Sequence, residues 1–205
     1  MAITMNNKTL VEAFGPTEGT ALLVKQAVLV VLGIAALTLA AKIRVPMWPV
    51  PVTMQTFAIL TIGAGFGMRL GLATVLGYLA LGFVLALGGV PFTVFTGETA
   101  TLAYFAGPTA GYLVGFAIAA GAMGWLAQRG WDRSVASMAG ALLIGNGIIY
   151  AVGLPWMAYL FVESHGAAWV FQWGIGNFLI GDAIKLGLAA LLLPAIWKMV
   201  GNARG

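Results

Sequence analysis

Asp182 and Lys185 stand three residues apart in Gly181-Asp182-Ala183-Ile184-Lys185, within a long apolar stretch near the C-terminus. Each charge costs on the order of 3 kcal/mol near the centre of a membrane helix. Their i, i+3 spacing puts both on one helical face. A carboxylate accepts hydrogen bonds and an ammonium donates them, so the pair offers both polarities from an otherwise apolar wall. It reads first as a ligand or ion site, and second as a structural salt bridge that fixes helix packing.

Two further clusters have the residue types of a binding pocket. Lys42 and Arg44 lead into Val45-Pro46-Met47-Trp48-Pro49-Val50-Pro51-Val52-Thr53, with Gln55 just beyond. Alternating prolines hold the chain extended and remove backbone donors, which makes a stiff loop suited to form a pocket wall. Trp48 is either a stacking platform or an interfacial anchor. The two cations suit an anionic ligand, or else snorkel to lipid phosphate. The third cluster runs from Phe92 to Tyr112 through Phe95-Thr96-Gly97-Glu98, Tyr104 and Gly107-Pro108-Thr109. Proline after glycine marks a helix start, with free N–H groups and a positive dipole end. Tyr104 and Trp173 belong either to the pocket lining or to an aromatic belt.

Several chemistries lack their residues. With no cysteine there is no disulfide scaffold, thiolate zinc site or cysteine nucleophile. No G-x-x-x-x-G-K-[ST] is present, so ATP hydrolysis by a P-loop is excluded. The single histidine, His165, has no metal-ligand company. No serine occupies a nucleophile motif, which disfavours an intramembrane hydrolase. We therefore expect no catalytic residue, no metal and no cofactor. The net charge of +4 is small and scattered, so nucleic-acid binding is not expected. A proton- or ion-coupled carrier would also suit an intramembrane Asp–Lys pair, although such carriers are often built of paired repeats, and none is visible here.

The elements that must position these residues are membrane helices. Apolar residues make up 61% of 205 and charged residues 8%, against roughly 45–50% and about 25% in soluble domains. Six apolar stretches lie near 24–43, 54–68, 70–89, 106–127, 136–161 and 174–198. Most reach the ~20 residues that a bilayer requires. The second is short and separated from the third only by Arg69, so five spans plus a hairpin is the alternative. Lys8, Lys25, Arg69, Arg129, Arg133, Lys198 and Arg204 fall on one side of this layout, Lys42 and Arg44 on the other. That asymmetry predicts an all-α six-transmembrane-helix bundle with both termini cytoplasmic. Residues 1–23 form a short cytoplasmic segment, 24–200 the membrane domain and 201–205 a cytoplasmic tail. The long acidic lead before residue 24 argues against a cleaved signal peptide. Counted from Gly174 along one continuous helix, Asp182 lies about 12 Å and Lys185 about 16 Å deep on the outer side. Rows such as Gly63/Gly67/Gly71 and Gly107/Gly111/Gly115 predict close helix packing. Ala36-xxx-Ala40 in the first helix serves either packing or a partner subunit.

Taken in order, these motifs resemble the BioY family, the biotin-binding S components of energy-coupling-factor (ECF) transporters. The resemblance covers about 35 to 200. It rests on Val45-Pro46 through Thr53 and Gln55, on Gly107-Pro108-Thr109-Ala110-Gly111-Tyr112-Leu113, on Gly153-Leu154-Pro155-Trp156, and on Gly181-Asp182-Ala183-Ile184-Lys185. Ala110 departs from the family, which usually has a second glycine there. The resemblance implies high-affinity capture of biotin at the outer face of the cell's inner (plasma) membrane, without enzymatic activity. It implies a partner module of a membrane coupling subunit and two ATPases, which alone use ATP, and toppling of the S component in the bilayer. Asp182, Lys185, Gln55, Trp48, Val50, Tyr104 and Trp173 would then bind biotin, and Ala36 and Ala40 would dock the partner. The alternatives are an S component for another water-soluble vitamin, a stand-alone proton-coupled carrier and, last, an intramembrane enzyme.

Overall fold

An apolar chain in a bilayer has no water to satisfy its peptide groups, so it coils into helices that satisfy their own. The computed structural model describes residues 8–98 and 101–202. Its helices are α1 (Gly19–Lys42), α2 (Gln55–Phe66), α3 (Met68–Leu87), α4 (Ala110–Ala127), α5 (Val135–His165), α6 (Ala167–Gly174) and α7 (Leu179–Asn202). A minimal hairpin of β1 (Arg44–Val45) and β2 (Val52–Thr53) joins α1 to α2, pairing Arg44 with Thr53. Arg204, counted among the cytoplasmic charges, lies outside the described residues.

Five helical stretches are long and apolar enough to cross a membrane: α1, α3, α4, α5 and the α6–α7 run. Helix α2 has 12 residues, about 18 Å, and falls short. Its neighbours α1, α3, α4 and α7 cover it, so its backbone is walled by protein. The α2–α3 break lies at Gly67 rather than Arg69, which sits in the first turn of α3. Gly67 takes φ +83°, a left-handed conformation that glycine adopts freely. Helix α4 is central, packed against α2, α3 and α5. The largest fully buried side chains include Ile59, Leu60, Tyr78, Met123, Leu142 and Ile149.

The last span differs from expectation. A turn at Gly176–Phe178 separates α6 from α7, where two glycines of poor helix propensity flank Ile175. Asp182 therefore lies in the first turn of α7, and a depth counted along one continuous helix from Gly174 does not apply. At a helix N-terminus the carboxylate is favoured by the dipole.

The chain has two chemically distinct ends. At one, Arg133 donates to the Lys8 carbonyl at 3.2 Å, and Trp197 donates to the buried Asp132 carboxylate. Lys25 caps the carbonyls of Val11, Phe14 and Pro16. The opposite end carries the β hairpin, joined to the α5–α6 corner by the ring contact of Trp48 with His165 and to residues 95–97 by Lys42 and Arg44.

Candidate ligand-binding site

At the hairpin end, a small cavity is lined by Val50, Pro51, Thr53, Gln55, Thr56, Thr96, Thr109, Tyr112, Phe116, Ile149, Tyr150, Phe178 and Lys185. Each wall comes from a different element. The proline-rich loop gives the roof, and α2 brings Gln55 and Thr56. The 88–109 connection brings Thr96 and Thr109, α4 and α5 supply the rings of Tyr112, Phe116 and Tyr150, the Gly176–Phe178 turn that of Phe178, and α7 the ammonium.

Lys185 reaches the cavity as one pole of a buried network. Its ammonium pairs with Asp182 at 2.6 Å. It also donates to the Thr53 carbonyl and to Thr56 Oγ1, both at 2.9 Å. Asp182 does not line the cavity. Its other oxygen accepts from Asn146 Nδ2 at 3.0 Å and from the Tyr150 hydroxyl. The carboxylate thus sits one layer behind and holds both Lys185 and Tyr150 in place. Burying one charge would be prohibitive, but a hydrogen-bonded pair is tolerated. The network is formally neutral, so the cavity favours a neutral polar group over a bare charge.

Gln55 donates to the Tyr78 hydroxyl at 2.9 Å, and Tyr78 donates to the Val94 carbonyl at 2.9 Å. This chain ties the 88–109 connection to α2 and α3. Lys42 and Arg44 belong to the same tie. Lys42 donates to the carbonyls of Phe95 and Gly97, and Arg44 to that of Thr96. They staple the 88–109 connection to the hairpin end, and neither lines the cavity.

The sequence-derived residues therefore divide. Lys185, Gln55 and Val50 line the cavity, with Asp182 behind them. Tyr104, Trp48 and Trp173 do not. Tyr104 bonds to the Thr96 hydroxyl at 3.1 Å and stacks on Phe95 at 4.7 Å, bracing the wall from behind. Burial raises its phenol above the ordinary range, with hydrogen bonds from Thr96 opposing, so it stays neutral. Trp48 is 60% exposed because it points away from the cavity toward Phe161, His165 and Trp169. Trp173 packs on Trp169. Asn146 and Tyr150 are not among the residues the sequence singles out; the signal that marks Asn146 is a polar amide in an apolar span, weaker than a charge. Among the described residues no three His, Asp or Glu side chains converge.

The docking pair also divides. Ala36 is exposed, whereas Ala40 is buried. The last turn of α1 packs against β2, so Ala40 is not on a free surface and the two alanines form no continuous outward stripe.

The cavity measures about 30 Å³, room for a water or two against the ~300 Å³ or more of a small-molecule pocket. It is shut, and a wall must move before a vitamin-sized ligand fits.

The model of the BioY family matches residues 6–202. The chain belongs to the BioY family. A Pyrococcus horikoshii protein is 34% identical over 87% of this chain and 98% of its own. Relatives named biotin transporter BioY come from Rhizobium etli, 34% identical over 82% of this chain and 88% of its own, and from Thermotoga maritima, 33% identical over 80% and 91%. Among solved structures, the S component for biotin from an ECF-type ABC transporter matches with a TM-score of 0.71. It covers 89% of this chain and 95% of that one at 24% identity, a likeness of fold.

Proposed function

We propose that this chain is a biotin-capturing S component that mediates biotin uptake with an ECF coupling subunit and two ATPases, and is not itself an enzyme. The observation that carries the reading is the buried Lys185–Asp182–Tyr150–Asn146 network behind a shut cavity at the hairpin end. Its neutrality suits the uncharged ureido ring of biotin. Thr56 accepts from Lys185 and so keeps its own O–H to donate, the Tyr150 oxygen can accept, and Asn146 Oδ1 is a buried acceptor with no hydrogen bond of its own. Phe116, Ile149, Phe178 and Val50 supply apolar cover. The names of the relatives support the same ligand. In this reading α2 is the sixth, short membrane helix, and the end that bears Lys25, Arg69, Arg129, Arg133 and Lys198 faces the cytoplasm across the inner membrane. Both termini are then cytoplasmic.

Calorimetry of the purified protein against biotin and a panel of other water-soluble vitamins tests the reading. Tight, selective binding of biotin is expected. Binding of a different vitamin, or of none, would overturn it.

A further inference from the structure

A shut cavity raises the question of which wall opens, and the two loops over it are held very differently. In the 88–109 connection, Thr93, Val94, Phe95 and Thr96 are all buried. Lys42, Arg44 and Tyr78 hold the carbonyls of residues 94–97. Residues 46–51 of the hairpin loop, by contrast, make no hydrogen bond at all. Three of the six are prolines without an N–H. This loop is held by apolar contact alone, so it is the wall that lifts at least cost.

Its outermost hold is an aromatic cage. Trp48 meets Phe161 edge-on at 5.7 Å, Trp169 at 5.7 Å and His165 at 6.1 Å between ring centroids. The cage rings also touch one another on the α5–α6 corner: His165 lies 4.2 Å and Phe161 5.5 Å from Trp169. Edge-to-face and tilted pairs at these distances are attractive beyond the area they bury. Trp48 is two residues from Val50, which roofs the cavity. A short, proline-stiffened loop moves as one piece, so Val50 cannot rise while Trp48 stays in the cage.

We propose that Phe161, His165 and Trp169 are positioning residues that latch residues 46–51 shut through Trp48, and so set how fast ligand passes in and out without touching it. This rests on the cavity being the ligand pocket. It gives Trp48 a role in access in place of stacking on the ligand.

The test uses the absence of cysteine from this chain. In Val50→Cys the only thiol is under the roof, and its reaction with a charged methanethiosulfonate reagent reports opening with no ligand present. We expect slow labelling that speeds several-fold with Phe161→Ala or Trp169→Ala added, and returns to slow with Trp169→Phe. Trp125→Ala, at the opposite end of α4, should leave the rate unchanged. Equal rates with and without the cage rings would overturn the latch, as would equal acceleration by Trp125→Ala, which would signal general loosening. In the parent chain, Trp169→Ala should raise both the association and the dissociation rate of radiolabelled biotin, with Kd moving less. Cage-dependent labelling without biotin binding would retain the latch and remove the proposed ligand. Biotin binding with cage-independent labelling would do the reverse.

Discussion

Asp182 and Lys185 depend on each other unequally. If Asp182 loses its charge, the Lys185 ammonium keeps only a carbonyl and a hydroxyl. If Lys185 is removed, Asp182 keeps the Asn146 and Tyr150 donors. Breaking one side of a buried pair costs about 3–5 kcal/mol. Asp182→Asn should therefore lower Tm markedly and Lys185→Met somewhat less. The double variant should recover much of the Tm of the parent while binding ligand poorly, since the polar pole of the cavity is gone. Thermal unfolding and calorimetry on the three purified variants check this. A double variant no more stable than Asp182→Asn would show that the two charges are not coupled. The expense of these charges was legible in the sequence. That one lines the cavity and the other stands behind it was not, because a helical face says nothing of what packs against it.

The glycine rows illustrate the element scale. Their spacing predicts close approach, and the structure gives individual glycines separate tasks. A Cβ on Gly63 would lie 2.6 Å from the Ala120 carbonyl oxygen and 2.9 Å from its Cα, while on Gly65, two residues on, it meets nothing within 4 Å. Gly63→Ala should thus cost about 1–3 kcal/mol through overpacking of α2 on α4. Gly65→Ala should be neutral or gain up to about 1 kcal/mol from helix propensity. Differential scanning fluorimetry of both variants separates them. Equal effects would mean that α2 and α4 do not meet at Gly63. In the second row, Gly111 and Gly115 admit Trp156 and the Ile149 backbone of α5, again packing within the bundle. The broken last span was hidden, since hydropathy runs unbroken across residues 167–201 and only the backbone departs from helix.

At the scale of the whole molecule, α1 is the least buried candidate span, at 11% against 67% for α4. It lies on the outside of the bundle, where its apolar side chains meet lipid or a partner. The proposed coupling subunit would need a small residue on that face, and Ala36 is exposed there while Ala40 is not. Ala36→Leu should leave biotin affinity intact and abolish co-purification with the coupling subunit and ATPases. Normal co-purification would remove α1 at Ala36 as the docking point.

Composition and the length of its apolar runs determined a mostly helical membrane chain, because continuous stretches of about 20 apolar residues suit spanning helices and not the short alternating strands of a barrel. Charge asymmetry sorted the connections into two ends, and the cost of ionisation inside a span singled out Asp182 and Lys185. Tertiary structure decided the rest. Hydrogen bonding assigned Lys42 and Arg44 to loop carbonyls, packing turned Trp48 outward into its cage, and the break before α7 put Asp182 at a helix N-terminus. Each of these depends on partners 30 or more residues away in sequence or on a backbone turn, and local spacing carries neither.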